Sequence, residues 1–118
     1  MGQPDRFTSK FGQLGSSLIE RDQEGFLKRS SDWSLEAASA IAADFNLSLG
    51  EEHITVILHL RNYYAQYGLS PPSRVLMKLL RSEIDPQFSS IQLIQLFGGR
   101  ARRNLAQIAG LPKPSDCD

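Results

Sequence analysis

The sequence contains a single cysteine and no long apolar run. One cysteine cannot form an intramolecular disulfide, so the disulfide scaffold of small secreted domains is excluded and a reducing, cytoplasmic setting is predicted. No apolar stretch approaches the roughly 20 residues that a membrane-spanning helix needs. The first residues are polar, which is atypical of a secretory signal. We therefore expect a cytoplasmic protein with no membrane association.

Histidine is also scarce, and only His53 and His59 are present. Their spacing puts them on different faces of one predicted helix, with no cluster of metal-ligand residue types, so zinc and haem sites are not indicated. Phosphate-binding P-loops, the GxSxG nucleophile motif and the dinucleotide fingerprint are missing too. We predict no cofactor and no metal, and structural or surface roles for both histidines.

The charges balance overall but are unevenly distributed along the chain. Residues 1–52 carry five basic and nine acidic side chains, whereas residues 53–118 carry eight basic and four acidic ones. This asymmetry favours an anionic partner, or a basic surface that receives the acidic end of the chain. Solvated helix faces are the alternative.

Hydrophobic periodicity predicts a mainly α-helical fold with one core. Five helices are expected, over about residues 35–44, 48–67, 70–83, 89–97 and 100–109. Abrupt Gly and Pro turns between them favour a small helical bundle with steep crossings. Two apolar pairs flank a polar turn that contains Gly25, which predicts an N-terminal β-hairpin over about residues 18–27.

Capping residues and apolar spacing give finer expectations. Ser34 is the predicted N-cap of the first helix, and Ser89 or Ser90 that of the fourth. Residues 48–51 (SLGE) match the capping-box pattern for the second helix. Asn104 is expected outside, with Arg100 and Arg103. The residues expected inside are Ile54, Ile57, Leu60, Tyr64 and Tyr67 in the second helix, Val75, Leu76, Leu79 and Leu80 in the third, Ile91, Ile94 and Phe97 in the fourth, and Ala101, Leu105 and Ile108 in the last.

Three segments are predicted: a flexible tail over residues 1–17, a helical domain over residues 18–109, and a mobile C-terminal arm over residues 110–118. Gly110 lets the chain leave the last helix, and two prolines make the arm semi-stiff. Cys117 is second from the last residue and lies between Asp116 and Asp118. Such surroundings do not suit a cysteine that is kept for packing.

Cys117 is therefore the candidate reactive residue. The thiolate is the reactive form of cysteine, and the carboxylates of Asp116 and Asp118 disfavour it. Activation is expected from the protein's own basic surface or from a partner's pocket. The pattern favours a thiol that is presented to another protein over an autonomous active site.

Basic side chains predict a surface that contacts a partner, with solvated helix faces as the alternative. One group lies on the outer face of the third helix, and the other lies near and on the arm. The predicted partner-binding residues are Arg74, Lys78, Arg81, Arg100, Arg103 and Lys113.

Two further hypotheses remain at this point. The helix–glycine–helix arrangement across Gly68 resembles a helix-turn-helix, in which Arg74 and Lys78 would contact nucleic acid. The neutral overall charge argues against that reading. The other hypothesis is a redox-regulated adaptor that forms an intermolecular disulfide through Cys117.

Segments along most of the chain resemble one known family. Residues 108–114 (IAGLPKP), followed by Cys117 as the penultimate residue, resemble the C-terminal arm of the TusE/DsrC family. The likeness runs from about residue 18 to the end. The other matching segments, in order, are residues 22–27 (DQEGFL), 32–33 (DW), 51–53 (EEH), 61–64 (RNYY), 67–68 (YG), 71–72 (PP) and 74–76 (RVL).

The resemblance implies an orthogonal helical domain with a hairpin, a mobile arm, and sulfur carriage through a persulfide or mixed disulfide on Cys117. DsrC-type members, which are partners of dissimilatory sulfite reductase, carry a second cysteine where this chain has Ala106. The two-thiol cycle is therefore excluded, and the single-cysteine TusE-type branch is favoured. A DsrC-like role beside sulfite reductase or in sulfur oxidation is the alternative.

The TusE-type branch implies a sulfurtransferase-type carrier rather than an autonomous enzyme. Its implied partners are a TusBCD-like sulfur donor and an MnmA-like tRNA 2-thiouridylase, with an indirect contact to tRNA, and the protein is expected to be a monomer when alone. Asp116 stands where the family usually has glycine, and Gly98-Gly99 where it usually has proline after the Leu-Phe pair. These departures leave open a different sulfur donor or acceptor.

Overall fold

The structure, a computed structural model, describes residues 19–114 and contains five α-helices joined by short loops. A 3₁₀ turn at Ser30–Asp32 precedes the first helix. The predicted mainly α-helical bundle of five helices is confirmed. None of the helices in the described part has the length and apolar character needed to cross a membrane. The helices are α1 (Leu35–Ala43), α2 (Glu51–Tyr67), α3 (Ser73–Glu83), α4 (Ser90–Phe97) and α5 (Ala101–Ile108).

The chain before α1 forms a tight turn. One antiparallel bridge joins Arg21 to Leu27, and the Asp22 carboxylate accepts the backbone N–H groups of Glu24 and Phe26 at 2.9 and 3.0 Å. This bridge is the only β-structure in residues 19–114, and no extended strand is present there. The described part of the predicted hairpin is thus a closed turn, and its first residue lies outside the described range.

Two of the predicted helix caps are confirmed. The Ser34 hydroxyl accepts the N–H of Ala37 at 3.0 Å at the start of α1. Of the two candidates for α4, Ser89 is the cap, and its hydroxyl accepts the N–H of Gln92 at 3.1 Å. These bonds satisfy backbone donors that have no partner inside the helix.

The capping box predicted over residues 48–51 is wrong. The N-cap of α2 is Gly50, and its N–H donates to Nδ1 of His53 at 3.1 Å. Leu47 and Leu49 both pack against the core while Ser48 is exposed, which is the alternation of an extended chain. Burial of the two leucines keeps this stretch out of the helix, so α2 begins at Glu51.

All five helices contribute to the core, and α3 packs on α2 and supplies Leu76 and Leu80. Several residues predicted inside are exposed: Ile91 is 66% exposed, and Tyr67, Val75 and Ile94 are also on the surface. Because α4 has only about two turns, the spacing of its apolar residues is compatible with either of two faces being buried. The face that is buried carries Leu93 and Phe97. Tyr67 is the last residue of α2, where the helix extends past the core.

Helix α5 is the most deeply buried helix, with six of its eight residues buried. It contacts α1, α2 and α4. Asn104, predicted outside, is buried, and its Nδ2 donates to the Phe97 carbonyl at 2.8 Å. That carbonyl is at the C-terminal end of α4, where no intrahelical donor reaches it. The central position of α5 fixes where the chain continues towards Cys117.

Candidate functional site

The segment that leads to Cys117 starts at the end of α5. Gly110 has a φ of 74°, and its N–H donates to the Gln107 carbonyl at 3.1 Å. The N–H of Leu111 donates to the Ala106 carbonyl at 3.0 Å, and Leu111 is fully buried. These two bonds form a Schellman motif, which ends the helix at a defined point. Gly110 thus turns the chain out of α5, as predicted.

Trp33 and Arg61 hold the last carbonyls of α5. The indole Nε1–H of Trp33 donates to the Ile108 carbonyl at 2.9 Å, and Nη1 of Arg61 donates to the Ala109 carbonyl at 2.8 Å. The Arg61 guanidinium also lies 4.3 Å from the centre of the Trp33 ring, a cation–π contact. Burial lowers the pKa of Arg61, but an arginine side chain stays charged. A cation at a helix C-terminus is favourable.

The next residues also contact the helical body. The Ser70 hydroxyl donates to the Pro112 carbonyl at 3.1 Å, and Nζ of Lys113 lies 3.3 Å from Oε2 of Glu24. Pro114 is buried. The described part of the predicted arm is therefore packed against the domain. Cys117 lies outside the described residues, so its role and the mobility of the arm stay predictions.

Glu24 forms ion pairs with two of the predicted basic residues. Both Lys113 and Arg103 place a nitrogen 3.3 Å from its Oε2. The Arg103 side chain is only 13% exposed, and its guanidinium lies 5.2 Å from the centre of the Phe26 ring. The expected outward position of Arg103 is wrong because the N-terminal turn, which carries Glu24 and Phe26, covers the start of α5.

The predicted basic residues of α3 lie on two sides of that helix. Lys78 lines a groove of about 400 Å³ between α2 and α3, together with His59 and Tyr63. Arg74 and Arg81 line a cavity of about 660 Å³ on the other side of α3, where Nε of Arg81 donates to the Phe88 carbonyl at 2.9 Å. The shared face that helical spacing predicted is thus divided between two grooves.

A second cavity adjoins the one that Arg74 and Arg81 line. It has a volume of about 330 Å³, lies among the first residues of α3, α4 and α5, and shares Ser73, Met77 and Ser90 with its neighbour. We call the two together the basic cleft. It brings together members of both predicted groups of basic residues, but neither Lys78 nor Lys113 lines it. Its arginines are Arg74, Arg81, Arg100, Arg102 and Arg103.

His53 has a structural role, as predicted. Since its Nδ1 accepts the N–H of Gly50, its Nε2 carries the proton and donates to the Leu96 carbonyl at 2.9 Å. The ring also meets Phe97 edge-on, with centroids 5.3 Å apart. Within residues 19–114, no three His, Cys, Asp or Glu side chains are grouped as a metal ion would require.

Sequence analysis missed Arg61, Glu24 and Ser70 as residues that position the segment before Cys117. Each acts on a partner more than 40 residues away in the sequence. Local patterns hold no signal for such contacts. The available hint was Gly110 itself, because a helix that ends in a left-handed residue exposes carbonyls that need donors.

Comparison with known proteins places the chain in one family. The family model described as "DsrC like protein" matches residues 13–117. The chain is 38% identical to sulfurtransferase TusE of Escherichia coli strain K12 over 100 residues, which cover 84% of this chain and 92% of that protein. It is 36% identical to sulfurtransferase TusE of Buchnera aphidicola from Acyrthosiphon pisum, over 84% of this chain and 88% of the relative.

Solved structures give the same result. The NMR structure of Allochromatium vinosum DsrC matches with a TM-score of 0.77 and 36% identity, covering 85% of this chain and 90% of that one. The crystal structure of the oxidised γ-subunit of the dissimilatory sulfite reductase, DsrC, from Archaeoglobus fulgidus matches with a TM-score of 0.75 and 35% identity, covering 85% of this chain and 92% of that one. The chain therefore belongs to the DsrC-like protein family.

Proposed function

We propose that this protein is a sulfur carrier that accepts sulfane sulfur on Cys117 and passes it to an acceptor. The observation that carries the proposal is the match of residues 13–117, which include the only cysteine, to a family whose curated relatives are sulfurtransferases. A carrier needs one accessible thiol and no cofactor. It does not need the clustered acid–base groups of an autonomous active site.

The proposed step is a transfer of sulfur between two thiols. The Cys117 thiolate attacks the outer sulfur of a donor persulfide, so that a new S–S bond forms on Cys117 and the S–S bond of the donor breaks. The donor leaves as a thiolate. The reverse attack by an acceptor thiolate on the Cys117 persulfide delivers the sulfur and restores the Cys117 thiolate. No electrons are gained or lost overall, so no oxidant is needed.

The described contacts support delivery over a short distance. Trp33, Arg61 and Ser70 hold the chain as far as Pro112, and Lys113 pairs with Glu24. Cys117 follows Pro114 by three residues, and three residues of chain span at most about 11 Å. A donor or acceptor must therefore approach this end of the domain closely. The proposed role of the anchored segment is to limit where the thiol can go.

We further propose that the sulfur serves tRNA 2-thiouridine formation, from a TusBCD-like donor to an MnmA-like tRNA thiolase. The support is the family likeness to proteins called TusE, together with Ala106, which leaves the chain without a second thiol. Because Ala106 is buried and its carbonyl belongs to the Schellman motif, this position contributes to packing at the end of α5.

Loading of sulfur is tested by intact mass spectrometry after incubation of the full chain with a persulfide donor. The expected product is the protein plus the mass of one sulfur atom, absent in Cys117→Ala. An unmodified wild-type chain, or the same adduct on Cys117→Ala, contradicts the carrier function.

The role in tRNA thiolation is tested by adding the thiolase and tRNA to the loaded protein and measuring 2-thiouridine. Delivery of sulfur to other acceptors but never to tRNA refutes the role in tRNA thiolation and leaves the carrier function standing.

A partner role beside a sulfite reductase is the second candidate, favoured by the likeness to solved DsrC structures at 35–36% identity. Such a role through two thiols is not open to this chain, since Cys117 is its only cysteine. Sulfur transfer from a sulfite reductase to Cys117, in place of transfer from a persulfide donor, would favour this candidate.

A further inference from the structure

The groove between α2 and α3, which Lys78 lines, has aromatic and aliphatic walls. Tyr63 and Tyr67 are one turn apart on α2, and their ring centroids are 4.5 Å apart. Val75 and Leu79 are one turn apart on α3 and line the other side of the groove. Tyr67 is 55% exposed and Val75 is 37% exposed. Exposed apolar surface beside a groove is typical of a contact between proteins, where tyrosine is enriched.

Exposed apolar surface continues from the groove to the connection between α2 and α3. Leu69, two residues after Tyr67, is 51% exposed. The next residue, Ser70, donates its hydroxyl to the Pro112 carbonyl at 3.1 Å. The segment that leads to Cys117 therefore lies beside one end of the groove.

The ordinary size of a protein interface connects this groove to Cys117. Through Ser70, the Cα of Leu69 lies within about 10 Å of the Pro112 carbonyl oxygen, and the Cα of Tyr67 within about 17 Å. A contact of standard size buries about 800 Å² on each partner, a patch that extends about 16 Å from its centre. A partner centred on the segment before Cys117 thus covers Leu69 and reaches the Tyr67 side chain.

Polar side chains surround the apolar part of the groove. Asn62 and Gln66 come from α2, whereas Lys78 and Glu83 come from α3, and all four are exposed. An apolar centre with a polar rim is the usual anatomy of an interface. Because Lys78 and Glu83 have opposite charges, the complementary surface carries one acidic and one basic side chain beside its apolar ones.

We propose that the groove between α2 and α3 is the docking surface for the protein that donates sulfur to Cys117. The proposal rests on the carrier function proposed above and is independent of the role in tRNA thiolation. The donor is the occupant we choose because a carrier must be loaded before it meets any acceptor. Attack on a persulfide requires the two reacting sulfur atoms to be held together, which docking beside the Cys117 segment achieves. The donor inserts apolar side chains between Tyr67 and Val75, as a helix does in a groove.

The test follows the loading of Cys117 from two persulfide donors of different size. One is the TusBCD-like donor complex of the proposed relay, and the other is glutathione persulfide, which has no protein surface. Intact mass spectrometry of the full chain gives the initial rate of loading as the concentration of each donor is varied. Docking through the groove is expected to affect loading from the donor complex alone.

Tyr67→Ala is the test variant. The concentration of donor complex that gives half the maximal rate is expected to rise about tenfold, a loss typical of an interface tyrosine at a central position. The maximal rate should be unchanged, since the contacts of Arg61 and Ser70 with the segment before Cys117 remain. Tyr67→Phe keeps the ring and should stay within about twofold of the wild-type protein.

Leu58→Ala is the matched control. Leu58 is 48% exposed and lies on the same helix nine residues before Tyr67, a spacing that places it on the opposite face. Its loading from the donor complex should change by less than about twofold, as expected for a side chain outside the contact. All variants should load from glutathione persulfide at the wild-type rate, and circular dichroism checks that each is folded.

Four results would overturn the proposal. The first is normal loading of Tyr67→Ala from the donor complex, which leaves the carrier function standing; impaired delivery by that variant would then assign the groove to the acceptor. The second is an equal loss in Leu58→Ala. The third is an equal loss with glutathione persulfide, which would mean that Tyr67 acts on the Cys117 segment rather than on docking. The fourth is a wild-type dimer that Tyr67→Ala dissociates, which would assign the groove to a second copy of this chain.

Failure of the carrier function itself has a different signature. In that case neither donor loads the wild-type protein, and the docking proposal is refuted together with the carrier function. Loading of the wild-type protein from glutathione persulfide therefore separates the two proposals.

Discussion

One residue, Gly110, decides how the chain leaves α5. Its φ of 74° is in the left-handed region that disfavours L side chains. A Cβ at this position would lie 2.6 Å from Cδ1 of Trp33 and 2.9 Å from Cδ1 of Leu27. Backbone conformation and space therefore both require glycine. Gly68, at the end of α2, has the same conformation with φ of 76° but no atom within 4 Å of such a Cβ.

Gly110→Ala is expected to lower the free energy of unfolding by about 2–5 kcal/mol, from left-handed strain plus overpacking against Trp33 and Leu27. Gly68→Ala is expected to lower it by about 1–2 kcal/mol, since only the strain remains. Urea denaturation at 25 °C measures both. Equal losses in the two variants would show that the Trp33 contact does not constrain this turn.

Two single residues, Asn104 and Arg103, show what could not be predicted from the sequence. Asn104 has the spacing of an outward residue, yet it is buried because the Phe97 carbonyl needs a donor. Arg103 is predicted outside, yet its guanidinium lies against the ring of Phe26, in a turn nearly 80 residues earlier. Periodicity reports which face of a helix is apolar. It does not report which polar atoms of distant elements will need partners on that face.

At the scale of elements, Arg61 joins three segments at the end of α5. Besides the Ala109 carbonyl, its guanidinium reaches the Ser30 carbonyl at 3.3 Å and stacks on Trp33. Helix α2 thereby holds both the 3₁₀ turn and the start of the segment that leads to Cys117. A lysine has the charge but lacks the planar fork that makes these contacts simultaneously.

Arg61→Lys is therefore expected to lower the free energy of unfolding by about 1–3 kcal/mol, the cost of leaving a partly buried carbonyl without its donor. Arg29→Lys is the matched control, since Arg29 is 60% exposed and a lysine can keep its pairing with Glu20 and Asp32. It should change stability by less than about 0.5 kcal/mol. The comparison uses urea denaturation, and similar losses in both variants would rule out a specific role for the Arg61 fork.

His53 joins the start of α2 to the end of α4. Its ring accepts the N–H of Gly50 and donates to the Leu96 carbonyl. His53→Leu removes both bonds and is expected to cost about 2 kcal/mol of unfolding free energy. His53→Gln should recover about 1 kcal/mol of that loss, because glutamine at this position can accept the Gly50 N–H. Thermal and urea unfolding measure the difference, and no recovery in the glutamine variant would contradict the cap.

The existence and order of the helices were predictable because each carries local signals: Ser34 and Ser89 as caps, and Gly68, Gly98 and Gly110 as stops. Helix faces were less predictable where the helix is short, as α4 shows. The start of α2 was missed because packing of Leu47 and Leu49 outweighs a local capping pattern. The candidate site was predicted as two separate basic groups. Their meeting in one cleft depends on how α3 and α5 pack, which no local pattern encodes.

At the scale of the whole molecule, folding brings some acidic residues of the N-terminal half into ion pairs with basic residues of the C-terminal half. Glu24 belongs to the acidic half of the sequence, and its two partners, Arg103 and Lys113, belong to the basic half. The pairing ties the N-terminal turn to α5 and to the segment before Cys117. The arginines that line the basic cleft lie on α3 and at the start of α5.

Stability should therefore depend on salt through Glu24. Glu24→Gln is expected to lower the free energy of unfolding by about 0.5–2 kcal/mol at low ionic strength, since it removes two ion pairs, and by less than half of that in 1 M NaCl, where charges are screened beyond about 3 Å. Glu20→Gln is the control, because its pair with Arg29 is 60% exposed on both sides and should contribute little at any salt concentration. Urea denaturation of the three proteins at both salt concentrations gives the comparison. A loss in Glu24→Gln that is unchanged by salt would mean that packing around Phe26 and Arg103, rather than charge, joins the two ends of the domain.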